Sequence, residues 1–246
     1  MTRASIRAVA VVIPVHDEAA LLERCLNALG AAVAAARVPC VVRIVLDACT
    51  DESADIAARH PFPVVPVDAN AVGAARANGV SAALAALPHV PPHRVWIANT
   101  DADSVVPVNW IALQLELAAA GADVMVGTVR PDFDDLTEDH RRLWLDTHEP
   151  GKPNGHTHGA NLGVRASTYL QAAGFDELVE HEDVRLVEAC RAIGATVVAS
   201  DAAEVVTSGR FTGRTPGGYA GYLREQALRL PHRAERALLD AERSTA

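Results

Sequence analysis

The sequence predicts a single-domain α/β fold in which helices flank a mostly parallel, Rossmann-like central sheet. The chain has 246 residues, which is long for one small domain and short for two. Half of its residues are hydrophobic but only 4% are aromatic, because the apolar residues are mainly Ala, Val and Leu. This composition is typical of helices packed on a Val-rich sheet. Apolar runs also alternate with segments of helical spacing, which indicates consecutive βαβ units.

The first half of the chain contains four predicted strands separated by helices. Short apolar runs predict strands at residues 8–15, 41–46, 64–67 and 94–98. Leucines and small residues at helical intervals predict helices at residues 19–36 and 72–87, and Asp51 or Ser53 can cap a helix that ends at Ala58. This order predicts parallel strands whose polar loops lie together at one edge of the sheet.

The second half is less regular. The predicted elements are a helix at 109–120, strands at 122–128 and 196–199, an apolar segment at 160–164, and helices at 166–173 and 183–193. Residues 130–150 are rich in acidic residues and His with little periodicity, and residues 151–159 form a turn-dense loop. A Gly- and Arg-rich loop or lid at 208–221 precedes a terminal helix at 222–242.

Charge and cysteine content exclude several classes of protein. The net charge of −9 argues against general binding to nucleic acid or to an anionic membrane surface, although residues 205–246 carry seven Arg against four acidic residues. The four cysteines show no CxxC pair, so we expect a reduced, cytoplasmic protein. The apolar stretches are too short for an integral membrane protein.

Acidic residues follow the predicted strands at the points where they end. Asp47 follows the second strand, and Asp101 and Asp103 follow the fourth. Side chains two residues apart on an extended segment leave on the same face, so Asp101 and Asp103 can offer oxygens to one divalent cation and the phosphates that it bridges. The alternative is that each Asp caps a helix or forms a turn.

Five segments together resemble the family 2 glycosyltransferases of the GT-A fold. They are VVIPVHDE (11–18), VLDACTDES (45–53), ANTDADS (98–104), HGANLGVR (158–165) and EHEDVRL (180–186). They occur in the order of the family over roughly the first 190 residues. The resemblance implies a UDP- or GDP-linked sugar donor held at the carboxyl edge of the sheet.

The resemblance implies roles for the donor side. The PVHDE loop, with Pro14, His16 and Glu18, would surround the nucleoside, and Asp47 would lie near the nucleobase. Asp101 would lie near the ribose and, with Asp103, near a divalent cation, Mn²⁺ or Mg²⁺.

It also implies an acceptor side. His158, Gly159 and Asn161 would contact the acceptor, and the catalytic base would be Asp183 or its neighbour Glu182. The alternative for Glu182 and Asp183 is that they only interact with the dipole of the helix that they open. The implied organisation of the single domain is a nucleotide-binding half at 1–104, an acceptor half at 105–204, and a basic lid with a terminal helix at 205–246.

The basic loop at 208–218 can supply positive charge to a departing diphosphate. Arg210 and Arg214 are the candidates, and the glycines around them would act as hinges of a lid. The alternative is a solvated basic tail, because this part of the chain lacks the QxxRW motif found in better-known members of the family.

We therefore predict an inverting glycosyltransferase that moves a sugar from a nucleoside diphosphate to a hydroxyl acceptor by a single, metal-assisted displacement. The alternatives are a nucleotidyltransferase that makes a nucleotide sugar and a nucleotide-sugar-binding module without catalysis. The place of a Gly-rich loop after the first strand is taken by PVHDE, which disfavours the nucleotidyltransferase and a Rossmann dehydrogenase. We expect no nucleic acid partner, and a homodimer is compatible with the sequence.

Overall fold

A computed structural model describes residues 5–153, 155–213 and 217–228 of the chain. The chain divides into two compact units. Of the described residues, those at 5–130, 150–153 and 155–207 form the first unit, and those at 131–149, 208–213 and 217–228 form the second.

Eight strands and eight helices form in the described part of the chain. The strands are β1 (Ala8–Val15), β2 (Cys40–Asp47), β3 (Val64–Val67), β4 (Val95–Asn99), β5 (Ser104–Val105), β6 (Val124–Pro131), β7 (Leu162–Arg165) and β8 (Val197–Thr207). The helices are α1 (Leu22–Ala35), α2 (Ser53–Ala58), α3 (Val72–Ala85), α4 (Trp110–Ala119), α5 (Glu138–Thr147), α6 (Ala166–Gln171), α7 (Glu182–Ala192) and α8 (Tyr219–Leu228).

The sheet has the order β3-β2-β1-β4-β7-β6-β8-β5. Strands β1, β2, β3 and β4 pair in parallel. Strand β7 pairs antiparallel to both β4 and β6, so β6 runs in the same direction as the first four strands. At least five of the eight strands therefore share one direction, which confirms the predicted α/β fold with a mostly parallel sheet flanked by helices.

The core of the first unit lies around β1, whose first six residues are buried. Helix α3 packs closely on β1 and β2 because Gly79 has no side chain. A Cβ at this position would lie 2.5 Å from Val12 Cγ1 and 2.7 Å from Val45 Cγ2. This close approach sets the height of α3 over the sheet and hence the position of the side chains at its N-terminal end.

The structure differs from the sequence prediction mainly between residues 131 and 149. The low periodicity there predicts no element, but α5 forms at Glu138–Thr147. Thr137 caps this helix by accepting a hydrogen bond from the backbone N–H of His140, and acidic residues occupy its first turn. Only Leu143 and Trp144 of α5 are buried, so the apolar stripe is too short to be recognised from periodicity.

Two strands also differ from the prediction. Strand β8 extends to Thr207, well beyond the predicted end at residue 199, and the short strand β5 pairs with its far end. The terminal helix begins at Tyr219, and the part of its predicted range after Leu228 lies outside the described residues. None of the helices that the structure describes is long and apolar enough to cross a lipid bilayer.

Candidate active site

The carboxyl ends of β1, β2 and β4 bring the predicted acidic residues to one edge of the sheet. His16 and Glu18 follow β1, Asp47 ends β2, and Asp101 lies two residues beyond β4. These three strands are neighbours and parallel. Their ends therefore meet where ligands bind in open α/β sheets.

The centre of this edge is Arg76, a residue of α3 that the sequence analysis missed. Its side chain is 2% exposed. Its Nη2 donates to Asp101 Oδ1 at 2.5 Å, and its Nε donates to Glu182 Oε1 at 2.9 Å. Arg76 is the one charged residue in the helix sequence VGAARANGVSAALA. A single Arg among small residues on a buried helix is a sequence signal that could have identified it.

Glu182 and Asp183 open helix α7, but their surroundings differ. Glu182 is buried and bound to Arg76. Asp183 is half-buried, and its carboxylate accepts the backbone N–H groups of Val184 and Gly159. Burial raises the pKa of both carboxyl groups, and the nearby positive charge of Arg76 partly opposes the rise. Asp183 is therefore the more accessible of the two.

His181, the residue before this pair, has a left-handed backbone with φ of 64°. Few residues other than glycine adopt this conformation, and such strain is concentrated at functional sites. The turn at His181 sets the direction in which α7 begins, and thereby the directions of Glu182 and Asp183.

Gly159 lies against the Arg76 guanidinium. An added Cβ would overlap Nη2 of Arg76, so a side chain at this position would displace the guanidinium. The predicted acceptor residue His158 precedes it and is half-buried. Gly159 thus brings the backbone close to both Arg76 and Asp183. Contact of His158 and Gly159 with an acceptor stays a prediction.

Asn161 lies in the core. It is 1% exposed. Its amide donates to the carbonyl oxygens of Thr128 and Ala203, and its Oδ1 accepts from Trp110 Nε1. Because these bonds use both donors and one oxygen lone pair inside the protein, Asn161 has a structural role, and its contact with an acceptor stays a prediction.

Asp101 and Asp103 are both half-buried and lie near the thiol of Cys25. Burial raises the pKa of that thiol, and the negative charges of Asp103, Asp101 and Glu18 raise it further. Asp103 Oδ1 accepts from the hydroxyl groups of Ser104 and Thr207. The two carboxylates are hard oxygen donors at a partly open edge, which fits Mg²⁺ or Mn²⁺.

A separate group of metal-ligating atoms lies on the loops after β1 and β2. It consists of Asp17, Cys49 and Asp51, with ligand atoms within 4.8 Å of one another. The carboxylates already connect the two loops. Asp17 accepts the backbone N–H groups of Thr50 and Asp51, and Asp51 accepts that of Ala19. These bonds explain the group as a link between loops.

Asp47 is buried at the end of β2 and supports the N-terminal end of α3. Its Oδ1 accepts the backbone N–H groups of Ala69 and Asn70, each at 2.8 Å, and its Oδ2 accepts that of Ala71 at 2.9 Å. Its own carbonyl oxygen is 2.6 Å from Nδ1 of His16. Asp47 thus orders the segment from which α3 begins, and contact with a nucleobase stays a prediction.

The remaining donor-side residues are distributed as follows. Pro14 is half-buried in β1, and the backbone N–H of Glu18 donates to the Ser53 hydroxyl at 3.0 Å. Arg210 lies in the second unit, beside Gly209, whose N–H donates to Asp135 Oδ2 at 2.8 Å. Arg214 lies outside the described residues.

Comparison with known proteins places this edge in context. The sequence profile described as Glycosyl transferase family 2 matches residues 10–171. The match includes the ends of β1, β2 and β4 and also Arg76 and Gly159. No curated protein sequence matches the chain.

Solved structures share the fold at low identity. The crystal structure of S. aureus TarS 1-349 in complex with UDP-GlcNAc has a TM-score of 0.61 and 13% identity, covering 87% of this chain and 62% of that chain. The mannosyltransferase PcManGT from Pyrobaculum calidifontis in complex with GDP-Man and Mn²⁺ has a TM-score of 0.59 and 18% identity, covering 95% and 65%.

The glucosyl-3-phosphoglycerate synthase of Mycobacterium tuberculosis, in complex with Mn²⁺, UDP and phosphoglyceric acid, has a TM-score of 0.57 and 13% identity, covering 91% and 78%. The present chain thus spans less than two thirds of the TarS and PcManGT chains.

The shared fold is the GT-A fold of glycosyltransferases. Since the family profile covers most of the chain and its matched residues form the carboxyl edge of this sheet, the chain belongs to glycosyl transferase family 2.

Proposed function

We propose that the protein transfers a sugar from a nucleoside diphosphate to a hydroxyl acceptor with inversion of the anomeric configuration. The observation that carries this proposal is the cluster of Arg76, Asp101, Glu182 and Asp183, which joins the edge of the parallel sheet to the start of α7. Fold relatives that hold UDP-GlcNAc, GDP-Man or UDP support a nucleotide sugar as the donor. Family membership favours transfer over nucleotide-sugar synthesis.

Asp183 is the proposed general base. A base must reach the acceptor hydroxyl by a direct hydrogen bond. Asp183 is half-buried, whereas Glu182 is buried against Arg76. The backbone N–H groups of Gly159 and Val184 orient the Asp183 carboxylate. Burial also raises its pKa, which makes the carboxylate a stronger base than an exposed aspartate.

Asp101 and Asp103 are the proposed ligands of a divalent cation on the donor side. When bound, such a cation stabilises the negative charge of a departing diphosphate. Complexes of two fold relatives with Mn²⁺ support this assignment. The hydroxyl groups of Ser104 and Thr207 orient Asp103, while Arg76 orients Asp101. The chain thus holds both carboxylates in place before any ligand binds.

From the sequence alone, Arg210 and Arg214 are proposed to neutralise the diphosphate. Guanidinium groups form charge-assisted hydrogen bonds with phosphate oxygens. The sequence of residues 208–218, with Arg residues between glycines, is the support for this part of the proposal.

A binding and turnover experiment tests the proposed function. The protein is heated with UDP, GDP, UDP-glucose, UDP-GlcNAc or GDP-mannose, each with and without MnCl₂, and ADP is the control nucleotide. A ligand that binds only the folded protein raises the free energy of unfolding, by about 2.7 kcal/mol when its concentration is one hundred times Kd, and therefore raises Tm. The sugar nucleotide that raises Tm most is then assayed for release of its nucleoside diphosphate. Absence of both a Tm shift and nucleotide release for all of them would contradict the proposal.

A further inference from the structure

Helix α3, which carries Arg76, is fixed to the rest of the protein at two points. The carboxylate of Asp47 binds the backbone of residues 69–71, which lead into α3. Three residues after Arg76, Gly79 packs against Val12 and Val45. The guanidinium therefore starts from a rigid backbone, and its position is determined before a ligand binds.

The three nitrogen atoms of this guanidinium differ in their hydrogen-bond partners. Nη2 donates to Asp101 and Nε donates to Glu182. Nη1 is buried and has no hydrogen-bond partner among the described residues. Buried donors in native proteins almost always have a partner, and one without a partner requires an explanation such as a missing ligand. Nη1 is therefore available as a donor to an oxygen that the protein itself does not supply.

The two partners of Arg76 belong to different parts of the proposed reaction. Asp101 lies on the donor side, whereas Glu182 directly precedes the proposed base Asp183. Helix α3 also supports the approach to α7, since the backbone N–H of Gly73 donates to the carbonyl oxygen of Leu178 at 3.0 Å. Arg76 and its helix thus contact both the donor side and the segment that carries the base.

We propose that Arg76 is a positioning residue that couples occupation of the donor site to the orientation of the base. An oxygen of the bound nucleoside diphosphate accepts the hydrogen bond from Nη1. The completed guanidinium then holds Glu182 more firmly, and Glu182 holds the first turn of α7 with Asp183. No covalent step is involved. This inference rests on the proposed function, because it requires a nucleotide ligand at the carboxyl edge of the sheet.

The test is amide hydrogen exchange of the full chain, with UDP or GDP and MnCl₂ as the probes. Nucleotide binding is measured separately by calorimetry. In the wild-type protein, saturating nucleotide is expected to slow exchange of the amides at residues 182–186 by about 10-fold or more, because local opening of the first turn of α7 becomes rarer. In R76M, at a nucleotide concentration that calorimetry shows to be saturating, exchange of the same amides is expected to slow by less than about 2-fold. R76K retains the charge and is expected to give an intermediate effect.

Two further variants serve as controls. R76M leaves the buried Glu182 without its cation, so the pair R76M/E182Q, which removes both charges, tests the same coupling in a chain without a buried lone carboxylate. Arg165 is the matched control, since it is also buried and also pairs with a carboxylate, that of Asp123, away from this site. R165K is expected to retain the nucleotide-dependent protection of residues 182–186.

Each outcome is decisive. Loss of protection in R76M or in R76M/E182Q, with protection retained in R165K, supports the coupling. Equal protection in wild-type, R76M and R76M/E182Q overturns it, as does an unprotected α7 in wild-type protein that binds nucleotide. If the wild-type protein binds neither UDP nor GDP, the proposed function itself fails, and the coupling fails with it.

Discussion

Nε of Arg76 lies 2.9 Å from Oε1 of Glu182, although the two residues are 106 positions apart in the chain. Both side chains are nearly inaccessible, at 2% and 6% exposure. A buried ion pair of this kind costs desolvation and is weak evidence of stabilisation. Its position, between the acidic edge of the sheet and the helix that carries Asp183, is the basis of the proposed coupling between these two parts of the protein.

Replacement of Asp183 by Asn is expected to lower kcat by about 10² to 10⁴, the usual contribution of general-base catalysis. The amide keeps the size of the carboxylate but lacks its basicity, so donor binding measured by calorimetry should change little. The matched control is Glu188→Gln, which neutralises an exposed carboxylate on the same helix and should retain wild-type kcat. Near wild-type transfer by Asp183→Asn would contradict the assignment of the base.

The pH dependence of transfer should show the raised pKa of Asp183. Burial raises this pKa above the ordinary value of 3.8. The base acts only as the carboxylate, so kcat is expected to rise with pH through a pKa higher than that of an exposed aspartate and then to level off. The measurement is kcat at saturating donor from about pH 4 to about pH 8. If the residual activity of Asp183→Asn shows the same rise of kcat with pH, the rise belongs to another titrating group.

Replacement of Gly159 by Ala is expected to displace the Arg76 guanidinium. The new Cβ would overlap Nη2, and overpacking of this kind typically costs about 1 to 3 kcal/mol of stability. Because Arg76 also binds Glu182, kcat should fall as well. Gly30→Ala in α1 is the control, because its Cβ meets nothing within 4 Å and Ala is favoured over Gly in a helix by up to about 1 kcal/mol. If Gly159→Ala changes neither the free energy of unfolding in urea nor kcat, the backbone at residue 159 adjusts without moving Arg76.

Replacement of Asp103 by Ala is expected to remove the effect of Mn²⁺ on nucleoside diphosphate binding, because one of the two proposed ligands is lost. Calorimetric titration with UDP or GDP, with and without MnCl₂, measures this effect. Asp51→Ala alters the other group of metal-ligating atoms, formed with Asp17 and Cys49, and should keep the Mn²⁺ effect. The reverse pattern in the two variants would move the metal site to the loops after β1 and β2.

Replacement of Asp47 by Ala is expected to lower the free energy of unfolding by about 2 kcal/mol or more, since three backbone N–H groups lose a charged acceptor. The neighbouring exposed Asp68 is the control, and Asp68→Ala should change stability by less than about 0.5 kcal/mol. Urea denaturation measures both. If Asp47→Ala keeps its stability but binds nucleotide more weakly, Asp47 contacts the nucleobase rather than supporting α3.

The sequence alone determined the parallel half of the sheet and the edge at which the site lies. Apolar runs such as AVAVVIPV become buried strands because burial on both faces of a parallel sheet requires continuous apolar residues. Acidic residues placed directly after these runs then lie at one edge, whatever the details of packing. Helix α5 cannot be predicted from periodicity because its buried apolar stripe is short. The sequence signal for this helix is the N-cap residue Thr137.

The tertiary structure alone decided which side chains meet at that edge. A motif position cannot distinguish the buried Asn161, which binds Trp110 and two carbonyl groups, from the neighbouring Gly159, which lies against Arg76. Nor does local sequence pair Arg76 with Glu182. Secondary structure follows from the spacing of apolar residues along a short segment, whereas contacts between distant residues depend on how closely helices such as α3 pack on the sheet. That distance is set by residues elsewhere in the chain, here by Gly79 against Val12 and Val45.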